Sequence, residues 1–127
     1  MLSLTTTSPI LTNAAACRAM WGAVVLETID EAIEMNETQL SVHAALHAEA
    51  HRHLPVDQVP EVPPLAPTKL VGNRWIWEWA NSPDGYEVLD MAGIEPSERV
   101  AGKLVHFVNA GDRTRGALSL VSKQKAA

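Results

Sequence analysis

Small and apolar residues in the N-terminal part of the chain follow a helical rhythm. Cys17, Met20, Trp21, Val24, Val25, Thr28, Ile29, Ala32, Ile33 and Met35 recur three and four apart, which places them on one face of an α-helix. Thr12 and Asn13 precede this run with side-chain oxygens suited to a helix N-terminus, so the pattern predicts a helix over about 14–35. A weaker stripe of Leu40, Val42, Ala45, Leu46 and Ala50 predicts a second helix from about Thr38 to His53. Then the rhythm stops. Pro55, Pro60, Pro63, Pro64 and Pro67 crowd into thirteen residues, removing backbone donors, fixing φ and pushing their neighbours out of the α region. Residues 55–70 read as an extended connector with polyproline character between an N-terminal part, 1–54, and a C-terminal part, 71–127, the whole forming one domain.

Beyond the connector, Trp75, Trp77 and Trp79 alternate as in a strand, yet Trp75/Trp79 and Ile76/Ala80 are also one helical turn apart. The second pattern is preferred, giving a short helix over about 73–81. Ser82-Pro83-Asp84-Gly85 is a turn in which Ser82 or Asp84 can cap the next helix, over about 84–92, whose apolar face is Val88, Leu89 and Ala92. Gly93 accommodates a left-handed helix end. Pro96 suits the first turn of a last helix, over about 96–110, with Val100, Leu104, Phe107 and Val108 inward and Gly111 as its stop. The fold class is therefore mainly α: a small helical domain with a long N-terminal helix, a proline-rich connector and a C-terminal helix-turn-helix-like unit hinged at Ala92-Gly93-Ile94.

Composition narrows the class. The chain has 127 residues, of which 46% are apolar, enough to bury a core without metal or disulfide, and its single cysteine, Cys17, has no partner for an internal bridge. The N-terminus has no basic residue of a secretory leader, and the longest apolar run, Ala19 to Leu26, is eight residues, against about 20 for a membrane span. A cytoplasmic protein of a bacterial host cell, not associated with membrane, is the expectation. Charge is uneven: residues 1–98 carry 4 basic and 14 acidic side chains, residues 99–127 carry 6 basic and 1 acidic.

Candidate chemistry is sparse. Glu27, Asp30, Glu31 and Glu34, with Glu37 just beyond, crowd the polar side of the first helix; they read mainly as a solvated face, and as a contact surface for a basic protein partner if the chain works by interaction. His43, His47 and His51 are four apart, a spacing at which imidazoles stack up one helix face and can chelate zinc, nickel or copper, but no further ligand has supporting spacing and a polar stripe is the preferred reading. Cys17 falls on the apolar face and reads as a small core residue. The clustered tryptophans read as core area more than as base-stacking surface. There is no glycine-flanked nucleophile, phosphate loop or dinucleotide fingerprint, so the expectation is a non-enzymatic protein that takes no cofactor.

The stretch Trp79-x-x-Ser82-x-Asp84-x-x-x-Val88-x-x-x-Ala92-Gly93-Ile94-x-Pro96 resembles a segment of small, uncharacterised phage and prophage proteins of bacteria, including ones encoded in alphaproteobacterial phage-like gene clusters. That resemblance implies a helix-turn-helix-like architecture and an accessory role in the phage or prophage programme. It departs from ordinary helix-turn-helix units six positions after the turn glycine, where an apolar residue is usual and Arg99 stands, with Val100 one later. Two partner classes follow: duplex DNA, contacted through Arg99, Lys103, Arg113 and Arg115, or a protein such as a host defence complex or virion component, contacted through the acidic side chains, with homodimerisation open in either case.

Overall fold

A computed structural model describes the backbone of residues 2–112 and the side chains of residues 13–112. Four α-helices account for most of it: α1 (Leu2–Ala50), α2 (Val71–Ala80), α3 (Pro83–Met91) and α4 (Glu98–Ala110). The mainly helical architecture with a long first helix is as the periodicity predicts. Its largest departure is that the two helices expected at 14–35 and 38–53 are one, of 49 residues, or about 74 Å. No glycine or proline interrupts Met35–Thr38, and Asn36, which would favour a turn if its amide bonded locally, instead spends that amide on distant partners in α2. Thr12 and Asn13 accordingly lie inside α1 and not at its start.

Among the described residues, the middle of α1 packs against the other helices. Residues 13–20 are all exposed, Val25, Ile29, Ala32 and Ile33 are buried, and beyond Asn36 no residue of the helix is fully covered. Cys17 is therefore exposed rather than part of the core, as is Met20: both lie on the continued apolar face, but at a level of α1 that the other helices do not reach. The core is completed by Ile76 and Ala80 of α2, Leu89 of α3, Ala92 and Ile94 of the turn, and Val100, Ala101, Leu104 and Val108 of α4. Trp21, Trp75 and Trp79 pack on its rim, whereas Trp77, which the core reading included, is 42% exposed because a helix turns it away from Trp75 and Trp79.

The C-terminal helices are bounded by local devices. Ser82 caps α3, its Oγ accepting from Gly85 N at 3.0 Å, and Pro83 occupies the first turn. Ser97 caps α4 in the same way, accepting from Val100 N at 3.2 Å. Pro96 thus lies before the cap and not in the first turn, and the helix starts at Glu98 rather than near 96, because a capping serine needs the extended backbone that Ser97 adopts. Gly93 (φ 83°) ends α3, with its own N–H on Asp90 O and the Ile94 N–H on Leu89 O, both 2.9 Å. Gly111 (φ 70°) ends α4 with the same pair of bonds, to Val108 O and Phe107 O. The turn at Ala92–Ile94 is as expected, yet α3 rests chiefly on α1 and α4 on α2, so the pair is held together through the other two helices.

The segment between α1 and α2 contains single 3₁₀ turns at Val56–Gln58 and Pro67–Lys69 and is otherwise without regular hydrogen bonding. It runs back along α1 toward Gln39.

Candidate functional site

A proline-rich strand offers carbonyl oxygens but few N–H groups, so whatever holds it must donate. Along one side of α1 stand the donors. His47 Nε2–H donates to the Pro60 carbonyl and His43 Nε2–H to that of Pro63, both at 2.8 Å, and Gln39 Nε2 donates to Lys69 O at 2.9 Å. His51 turns inward on its own helix, donating through Nδ1 to His47 O at 2.8 Å, with the two rings 4.3 Å apart. The histidine stripe is thus a seat for the connector, a role that needs the acceptors of residues 60–69 and could not be assigned from the four-residue spacing alone.

His43 Nε2, His47 Nε2 and His51 Nδ1 carry their protons toward carbonyls and have no lone pair to give a metal in this arrangement. Among the described residues no group of three or more His, Cys, Asp or Glu side chains is arranged to hold a metal ion. Calorimetry should find the melting temperature of chelator-treated protein within about 1 °C of the untreated value, since a bound metal would stabilise the fold by mass action. Replacing His43 and His47 together by alanine should cost about 1–2 kcal/mol, the net worth of two hydrogen bonds. A several-degree loss on chelation would make the stripe a metal site.

Where the connector joins α2, a polar knot ties three helices. Leu70 has no side-chain oxygen with which to cap α2, and α1 supplies the caps: Val71 N–H donates to Gln39 Oε1 at 2.8 Å and Gly72 N–H to Asn36 Oδ1 at 2.7 Å. Asn36 Nδ2 donates to Asn73 Oδ1 at 2.8 Å, and Asn73 Nδ2 in turn reaches Pro67 O and Asn109 Oδ1. Asn36 and Asn73 are each 5% exposed, and no buried side-chain polar atom among the described residues lacks a partner. Neither asparagine was singled out by sequence reasoning. The available signal was a polar residue continuing the stripe Ile29, Ala32, Ile33 at the next helical position.

The carboxylates lie on the opposite, outward side of α1. Glu27, Glu31, Glu34 and Glu37 are exposed and Asp30 is half-buried. One depression of about 310 Å³ is lined by Val24, Glu27, Thr28 and Glu31, and a second of about 660 Å³ by Glu31, Glu34, Met35, Thr38, Gln39, Val42 and Val71. Glu31 borders both, so the two depressions succeed one another along α1 from Val24 to Val42, about 27 Å of helix; the first is mainly polar, and the second has an apolar floor of Met35, Val42 and Val71 beside Glu31 and Glu34.

The four cations proposed for DNA are less well gathered. Arg99 is exposed near the start of α4, beside exposed Glu95 and Glu98, while Lys103 is half-buried one turn on. Arg113 and Arg115 lie outside the described residues.

Taken together, these elements define a small helical protein whose described surface features are a carboxylate-rimmed depression and a strapped proline segment. Residues 68–127, just under half of the chain, match the model of a family of unknown function (DUF6280). The match begins inside the second 3₁₀ turn and takes in α2, α3 and α4, so it is similar to the part of the protein whose apolar side α1 covers. No curated protein and no solved structure shows a significant match to the chain.

Proposed function

We propose that this protein acts by binding another macromolecule, and that its partner is a basic protein received on the outward face of α1. The supporting observation is the depression floored by Met35, Val42 and Val71 with Glu31 and Glu34 on its rim, on a side of α1 where Glu27, Glu31, Glu34 and Glu37 are exposed. An amphipathic basic helix is the natural complement, its apolar positions on Met35, Val42 and Val71 and its cations against Glu27, Glu31 and Glu34. The phage or prophage setting rests on the resemblance of the Trp79–Pro96 segment alone.

Protein is favoured over duplex DNA by electrostatics. Phosphate neutralisation requires several convergent cations, and described α4 offers Arg99 and a half-buried Lys103 with Glu95 and Glu98 at the same end.

Glu27, Glu31 and Glu34 replaced together by glutamine should slow association with a partner recovered from host extract about tenfold at low salt, with convergence near 0.5 M salt. Stability should change by no more than about 0.5 kcal/mol, as exposed substitutions do. Stopped-flow or surface-plasmon traces that ignore both salt and these substitutions would remove the reading. Recovery of duplex DNA alone, abolished by Arg99→Glu with Lys103→Glu, would return the function to the helix-turn-helix-like unit.

A further inference from the structure

The return path from α1 to α2 is far longer than its geometry demands. Val71 is bonded to Gln39, eleven residues back from Ala50 along the helix, a distance of about 17 Å. Five or six extended residues would bridge it at about 3.3 Å each. The chain spends the twenty residues 51–70 instead, with only isolated turns among them, and connections of that length inside a small domain are uncommon unless they serve a purpose of their own.

Outside those turns the backbone takes polyproline II geometry at three positions. Pro55 (φ −59°, ψ 150°), Val59 (−74°, 122°) and Ala66 (−62°, 144°) have its dihedral angles. On one edge Val59 and Leu65 are half-buried while Val62 between them is exposed, and Pro60, Pro63 and Ala66 and then Glu61, Pro64 and Pro67 form two further exposed edges. Successive turns are pinned, Pro60 O by His47 and Pro63 O by His43, and Asn73 holds Pro67 O from the far end. The segment is anchored by carbonyls while its proline rings face outward. Two proline pairs at the spacing of one turn, Pro60/Pro63 and Pro64/Pro67, are presented side by side.

We infer that residues 59–67 are a preassembled docking ligand for a protein domain with an aromatic-lined polyproline groove. Such grooves grip pairs of prolines one turn apart and gain affinity when the ligand is already extended, because the ordering entropy has been met before binding. The histidine seat supplies that order here: His43 and His47 are positioning residues for the segment. This surface is separate from the carboxylate-rimmed depression, and either can exist without the other.

The test uses the full chain and purified SH3 and WW domains as probes, read by fluorescence anisotropy and by NMR shift mapping on the labelled protein. At least one probe should bind saturably, with perturbations confined to residues 59–67 and their histidine seat. Pro60→Ala with Pro63→Ala, or Pro64→Ala with Pro67→Ala, should weaken that binding at least tenfold while the far-UV circular dichroism of the helices is retained. His43→Ala with His47→Ala should weaken it about threefold with every proline present, a loss that reports preorganisation. The Glu27/Glu31/Glu34→Gln variant should bind these probes as the parent does. Absence of saturable binding by every probe, or binding indifferent to both proline pairs, overturns the inference.

Discussion

Gly72→Ala should destabilise this protein severely for the addition of a single methyl group. A Cβ built at Gly72 would penetrate the Ala32 carbonyl oxygen and Asn36 Oδ1, both on α1, and a backbone carbonyl cannot swing aside as a side chain can. α1 and α2 would have to separate where they cross, which also stretches the 2.7 Å bond from Gly72 N–H to Asn36 Oδ1 and loosens Ile76 against Ile29 and Ala32. Overpacking of this kind costs about 3 kcal/mol, on the order of 10 °C in Tm for a domain of this size. Urea unfolding followed by tryptophan fluorescence should register the loss, whereas Gly102→Ala, on an exposed part of α4 with nothing near its Cβ, should be neutral or stabilising by up to about 1 kcal/mol. Equal stabilities for the two variants would mean that α1 and α2 do not cross at Gly72.

Asn36→Leu should come next. Leucine shares the branching of asparagine and would suit an apolar stripe, so a purely hydrophobic account of the site expects a gain. The hydrogen bonds argue the reverse. Gly72 N–H would lose its acceptor and Asn73 Oδ1 its donor, both in a buried position closed to water. Each orphaned group costs about 1–3 kcal/mol, so a combined loss of about 3 kcal/mol is expected. Pairing Asn36→Leu with Asn73→Leu removes both sides of one bond and should recover part of the loss, giving a coupling of about 1 kcal/mol or more in a double-mutant cycle. Additive losses would show that the two amides act independently.

Features decided by near neighbours were legible in the chain. Ser82 and Ser97 each act on an N–H three residues ahead, and Gly93 and Gly111 close helices through bonds spanning three to five residues, so their roles follow from local sequence. Pro96 was misplaced by one such detail, the serine after it. Val25, Ile29, Ala32, Ile33, Leu89, Val100, Leu104 and Val108 were assigned inward by periodicity and are buried. Periodicity states a direction, however, and not whether anything lies there, which is why it also turned Cys17 and Met20 inward at a level where α1 runs on uncovered.

The amino-acid sequence by itself determined the helical class, the faces of the helices, the C-terminal stops of α3 and α4 and the extended character of the proline segment. Only the tertiary structure decided that α1 continues through Asn36, that α2 borrows its N-terminal caps from Asn36 and Gln39, and that the histidines seat the prolines. The physical reason is the reach of each interaction. Helix faces and capping serines are satisfied within a turn or two of themselves, so their partners can be read from spacing. The amide and imidazole donors of α1 are satisfied by carbonyls and amides 13 to 37 residues away, and a donor's role stays open until the fold brings its acceptor within about 3 Å.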